Sequence, residues 1–284
     1  VTSPVWYAAR LGVRRGRTEL RQTFTSGQDV FGYVLWTVLL MVPLFLARDE
    51  RLKGAGISAG AFMLPSMVGM TLAFTGMMTT AQLLATERED GTLLRAKAVP
   101  HGMVGHLVGK IVMVSGTALV SMALPFVVGV FLVDGVARQG GGALLTLVWV
   151  VPLGLLATLP MGAVIGSLVD SPRTVGLLML PVMGLIVISG IYFPLSKLPE
   201  WLQIVGQVFP VYWLGLGLRA ALLPAGAVAA EVGGSWRYLE TAGVLGAWAV
   251  AGLLLAPSVL RRTARRESGA TMAERHLKAM RRVG

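Results

Sequence analysis

A chain of 284 residues that is 55% hydrophobic and only 14% charged, with a mean hydropathy of +0.71, is too apolar for a soluble globular domain, where charged residues make up about a quarter. Its net charge of +11 does not indicate a nucleic-acid partner, because the basic residues flank apolar runs and are not interleaved with exposed aromatics. The absence of cysteine excludes disulfides and thiolate metal sites.

What remains is an all-α integral membrane protein, read as a single domain over residues 1–284. Within residues 1–28, Trp6, Ala9, Val13, Leu20 and Phe24 recur at near-helical spacing with arginines between them, and Ser3-Pro4 offers a cap and first turn. This pattern predicts an amphipathic interface helix lying on the inner membrane face. The full-length apolar run behind it is a span and not a cleavable signal. A hydrocarbon core roughly 30 Å thick takes about 20 helical residues to cross. Six spans are therefore predicted over residues 30–260, at Val30–Ala47, within Ile57–Leu84, and at about Leu107–Val133, Ala143–Val169, Thr174–Phe193 and Leu239–Leu260. Between the fifth and sixth, Pro194, Pro199, Pro210 and Pro224 cut the apolar sequence into pieces too short to cross. Pro199–Phe209 and Val211–Leu223 read as two short helices of an external re-entrant hairpin whose turn must be buried in protein; one kinked seventh span is the alternative. A basic tail, 261–284, closes the chain.

Arg10, Arg14, Arg15, Arg17 and Arg21 precede the first span, and Arg261, Arg262, Arg265 and Arg266 open the tail. Although Arg48, Arg51 and Lys53 follow the first span, the tails outweigh them and place both termini in the cytoplasm. Arginine in preference to lysine, with abundant Ala, Gly and Val, points to a GC-rich bacterial source and thus to the bacterial plasma membrane.

Chemistry is mostly eliminated. His101, His106 and His276 lack metal-ligand spacing and read as solvent-side residues. Gly105–Lys110, GHLVGK, has three residues between its glycines where a phosphate loop has four, and Ile111 stands where Ser or Thr should hold magnesium. No catalytic, metal or cofactor site is expected in this chain, and an intramembrane enzyme would need paired acids, a Ser with a base or clustered histidines. The span interiors are read as free of acidic and basic residues, which disfavours an ion-driven carrier. Gly162 and Gly166 form a small-xxx-small pair suited to close helix packing. Energy must then enter through ATEREDGTLLRAKAVPHG, residues 85–102, the charged stretch between the second and third spans.

Two stretches resemble the membrane permease subunits of ABC exporters of the ABC-2 (type V) class. One is Glu87-Arg88-Glu89-Asp90-Gly91-Thr92-Leu93-Leu94, followed by Pro100 and Gly109-Lys110, although RAKAVPHG is more basic than the family's pattern. The other is Ser189-Gly190-Ile191-Tyr192-Phe193-Pro194-Leu195-Ser196, then Leu198-Pro199, Trp201-Leu202-Gln203 and Pro210. The resemblance implies a cytoplasmic coupling helix in which Glu87, Arg88, Glu89, Asp90, Gly91 and Thr92 meet a separate ABC ATPase, present in two copies and holding the ATP and magnesium. It implies a second permease copy or paralogue beside this chain, with membrane lipid around both and no ATP hydrolysis of its own. It places Met67, Thr71, Thr75 and Met78 of the second span, and Met179, Met183 and Ile186 of the fifth, along the cargo path. The function so implied is outward transport of a lipophilic drug, antibiotic or lipid. The alternative within transport is polysaccharide or lipid-linked glycan export.

Overall fold

The computed structural model describes residues 4–52, 54–136, 141–169 and 172–266. Ser3, Lys53, His276 and the tail from 267 onward lie outside the described residues. The regular structure of the described residues is helical apart from an isolated bridge between Arg51 and Ser58. In order it forms α1 (Pro4–Thr23), α2 (Gly27–Leu46), α3 (Ala59–Glu89), α4 (Thr92–Lys97), α5 (Gly102–Leu132), α6 (Gly141–Ser167), α7 (Pro172–Val187), α8 (Glu200–Val208), α9 (Pro210–Leu222) and α10 (Tyr238–Arg266). Local chemistry sets several starts. The Ser26 side chain accepts the Asp29 amide at the head of α2, where Asp29 also complements the helix dipole, and the Ser58 side chain accepts the Ala61 amide at the head of α3.

Five helices (α2, α3, α5, α6 and α10) are long and apolar enough to cross a membrane. α3 is 83% buried over its apolar window against 22–28% for the other four, so it is the central helix, packed on α5, α6, α7 and α9. The predicted Gly162–Gly166 pair is what lets α6 lie on it: a Cβ on Gly162 would stand 2.4 Å from the Met77 carbonyl oxygen and one on Gly166 2.6 Å from that of Ala81. With no side chain in the way the backbones meet directly.

The fifth predicted span needs correcting. Its helix, α7, has 16 residues, about 24 Å, and stops at Val187 instead of reaching Phe193. Ser189 bonds back to the Leu185 carbonyl, and Gly190 takes a positive φ of 69°, which ends the helix and brings Leu195 against it.

Beyond that break α8 and α9 meet at a bend of 90°. The two ends of this unit come together, Ser196 Oγ donating to the Ala230 carbonyl at 2.9 Å, so the segment enters and leaves on one side and is a hairpin, not a seventh span. Its corner reaches inward. Phe209 stacks on Trp248, ten residues into α10 and so about 15 Å from that helix's start. The irregular corner carries carbonyls that no helix satisfies, and indole N–H groups fill the gap: Trp213 donates to Gln207 at 2.7 Å and Trp248 to Val208 at 2.8 Å. α9 is buried along almost its whole length.

Candidate functional site

α3 and α5 each run 31 residues, about 46 Å, against a hydrocarbon core of roughly 30 Å. Both overhang at one end, and there α1 and α4 join them. The residues expected to form a coupling helix, 87–92, are not one short helix. Glu87, Arg88 and Glu89 form the last turn of α3, the chain breaks at Asp90 and Gly91, and the short helix is Thr92–Lys97. Gly91 has a φ of 69°, a conformation that lets the chain turn back. Arg95 closes this turn by donating to the Asp90 carbonyl at 3.1 Å and to Thr92 Oγ1 at 3.3 Å. Asp90 is exposed.

Glu87 is not at the surface. It is 6% exposed, and its Oε2 accepts from His106 Nε2 at 2.9 Å. Lys110 Nζ stands 3.2 Å from Glu87 Oε1, close enough for ion pairing though not aligned as a hydrogen bond, and it donates to Glu19 Oε2 at 2.9 Å. Glu19 in turn accepts from Arg15 Nε at 2.7 Å. Lys110 therefore joins α1, α3 and α5 in one charge cluster. Burial alone would raise the Glu19 carboxyl, but the bonds from Lys110 and Arg15 outweigh it and hold the group below its ordinary value.

Two sequence expectations fail here. His106 is a buried partner of Glu87, 5% exposed, and not a solvent-side residue. Lys110, inside the third span as delimited from sequence, is a half-buried cation that breaks the rule of uncharged spans; it is tolerated because it lies near the helix start with two carboxylates to meet it. A signal was present, since His106 and Lys110 are four residues apart on one face of α5 and Glu19 is the lone acid of an arginine-rich helix. Only contact between three separate segments identifies them as partners.

GHLVGK also finds its role. Gly105 and Gly109 are the seat of α1: a Cβ on Gly12 would lie 2.2 Å from the Gly105 carbonyl oxygen and one on Gly16 2.3 Å from that of Gly109. α1 thus runs alongside α5 as far as Gly116, which meets Leu20. Of its predicted apolar stripe Trp6 is exposed while Ala9, Val13, Leu20 and Phe24 are half-buried. Between α1, α4 and the start of α5 a groove of about 870 Å³ opens, lined by Tyr7, Leu11, Arg15, Arg95, Val99 and His101 among others.

The candidate path residues divide by burial. Met67, Thr71, Met179 and Ile186 are inside the packed chain, with Thr71 Oγ1 bonded to the Met67 carbonyl. Thr75, Met78 and Met183 are half-exposed. α3 and α7 do pack together.

Sequence inspection also missed a buried ion pair at the far end. Arg219 of α9 is fully buried, paired through two nitrogens with Glu231, donating to Ser66 Oγ of α3 at 2.7 Å and lying over the Phe62 ring at 4.7 Å. It ties the hairpin to the central helix. Among the described residues no cluster of His, Cys, Asp or Glu could hold a metal.

A search of curated proteins finds no match for the chain. A family model described as ABC-2 family transporter protein matches residues 50–256, from the loop before α3 well into α10. That match covers well over half of the residues and takes in α3 to α9, and the chain accordingly belongs to the ABC-2 transporter family, as a membrane permease of an ABC transporter.

Proposed function

We propose that this chain is the permease subunit of an ATP-driven exporter that moves a lipophilic drug, antibiotic or lipid outward, powered by a separate cytoplasmic ATPase. The observation that carries this is the groove between α1, α4 and α5, at the end of the bundle where the arginine-rich segments gather, which the positive-inside rule puts in the cytoplasm. α4, with its own exposed Arg95 and the exposed Asp90 just before it, docks on the ATPase, and two such pairs work as a dimer of this chain or with a paralogue. Because Lys110 binds α1, α3 and α5 into one cluster, a push delivered at α4 reaches α3 as a rigid-body movement. Thr75, Met78 and Met183 then face the cargo, the adaptable methionines suiting varied apolar ligands. Met67, Thr71, Met179 and Ile186 support them from behind.

Gly91→Val tests the reading. A β-branched residue at a φ of 69° is strained by roughly 1–3 kcal/mol, so the turn into α4 distorts while the spans remain intact. Expressed with its ATPase, the variant should reach the membrane at normal level and lose export of lipophilic dyes and ATPase co-purification. A single cysteine at exposed Val99 in this cysteine-free chain should cross-link to the ATPase. Full export and unchanged association in Gly91→Val would overturn the assignment.

A further inference from the structure

α1 has a face that neither the glycine seat nor the groove uses. Arg10, Arg14, Arg17 and Arg21 follow one another at spacings of four, three and four residues, which sets them within about 60° of one another around the helix. All four are exposed, and none of their guanidinium groups has a hydrogen-bond or ion-pair partner among the described residues. Gly12, Gly16 and Glu19 lie on the opposite side, held against α5. Glu19 is the only acidic residue of α1, so the arginine face carries no carboxylate. Such a stripe, about 16 Å long, repels itself and calls for an anionic counterpart.

Its position selects that counterpart. The Phe24 ring lies 5.3 Å from that of Tyr33, the seventh residue of α2, and Leu20 meets Gly116, well inside α5. The C-terminal half of α1 is therefore level with the start of α2 and, since α5 overhangs the membrane, with the part of α5 that enters it. A soluble protein cannot reach a side chain there without displacing lipid, whereas a headgroup is already present. Arginine stems can lie along the acyl boundary while the guanidinium reaches the phosphate. The outer half of the stripe extends into the diffuse field of a charged surface, which decays over about 8 Å at physiological salt. We infer that Arg10, Arg14, Arg17 and Arg21 form a binding face for anionic phospholipid headgroups in the leaflet at this end. The face holds α1 against the membrane surface on one side while the glycine seat holds it to α5 on the other. This is independent of the cargo and of the ATPase.

The test uses the full chain, reconstituted in vesicles of phosphatidylcholine with phosphatidylglycerol as the minority lipid, then extracted in mild detergent, with co-purifying lipid quantified by mass spectrometry. The wild-type protein should carry phosphatidylglycerol several-fold above its bulk ratio. The Arg10→Gln, Arg14→Gln, Arg17→Gln, Arg21→Gln quadruple variant should fall to near that ratio, and the corresponding quadruple lysine variant should keep most of the enrichment, since charge near an anionic surface is what counts. If the quadruple glutamine variant does not yield folded protein, Arg17→Gln with Arg21→Gln, beside the spans, should show a partial loss. A folded glutamine variant with wild-type enrichment would overturn the proposal. So would unchanged lipid accompanied by lost ATPase co-purification, which would assign the stripe to a protein.

Discussion

The glycine seat of α1 offers a graded test, because the smallest substitution suffices. In Gly12→Ala the new Cβ would lie 2.2 Å from the Gly105 carbonyl oxygen, with the Gly105 carbon at 3.0 Å and Cα at 3.1 Å. All three are backbone atoms of a helix, so no rotamer change relieves the contact. α1 must withdraw from α5 by about 0.8 Å merely to reach the 3.0 Å below which real Cβ atoms essentially never approach a neighbour. Withdrawal loosens the facing Gly16–Gly109 contact and stretches the 2.9 Å bond between Lys110 and Glu19. Overpacking of this kind costs about 1–3 kcal/mol, against a gain of up to about 1 kcal/mol from alanine's better helix propensity. The expected result for Gly12→Ala is therefore a net loss of up to about 2 kcal/mol. Gly32→Ala in α2, where a Cβ meets nothing within 4 Å, should be neutral or slightly stabilising. Thermal melting of the detergent-purified protein gives the stability difference. Trypsin reports docking directly, since Arg10, Arg14, Arg15, Arg17 and Arg21 become cleavable when α1 detaches. If Gly12→Ala melts and resists trypsin like Gly32→Ala, the two helices do not touch through their backbones and the seat is wrong.

Lys110→Met leaves Glu87 buried without its cation and should cost about 2–4 kcal/mol, a discount being taken for the partial exposure of Lys110 and Glu19; adding Glu19→Gln and Glu87→Gln should recover most of it in the same melting assay. For Glu19 the folded carboxyl titrates below its ordinary value, so its contribution is complete above the usual carboxylate range and is lost as pH falls through the folded value. Trypsin-type sensitivity of α1, read with an acid-active protease, should rise on acidification in wild type and rise less in Glu19→Gln. Arg219→Met strands Glu231 in the interior and should cost about 3–5 kcal/mol, whereas Arg219→Met with Glu231→Met should lie within about 2 kcal/mol of wild type. Trp248→Phe removes the indole donor from the Val208 carbonyl and should cost about 1–3 kcal/mol, with faster proteolysis between α8 and α9.

Much of this architecture is legible from residue order alone. An apolar run of sufficient length must be a helix in lipid, because no other conformation satisfies its own backbone there; α2, α3, α5, α6 and α10 follow from that rule. The prolines at 199 and 210 give the hairpin its two starts, Pro199 immediately before α8 and Pro210 as the first residue of α9. Gly91 announces the turn before α4 because a positive φ favours glycine. The Gly162–Gly166 pair announces a close helix crossing but not which helix would cross it.

What sequence could not decide is which groups meet. Glu87 reads as a solvated charge beside Asp90, yet it points inward, because α3 continues as a helix for three residues past Thr86 and the periodicity carries position 87 to the face that meets His106 and Lys110. GHLVGK reads as a failed phosphate loop until Gly12 and Gly16 are found against it. Arg219 and Glu231 stand in an apolar region as two unexplained charges, and only the folded hairpin brings them together beside Ser66. The length of α7 was misjudged for the same reason: hydropathy measures what a segment prefers to be surrounded by, and residues 188–193 satisfy that preference inside protein without being helical. Spans are determined by the free energy of backbone and side chains in lipid, a property of each segment taken singly. Charge partners, helix seats and the depth of the hairpin depend on distances between segments far apart in the chain, and only tertiary packing sets those.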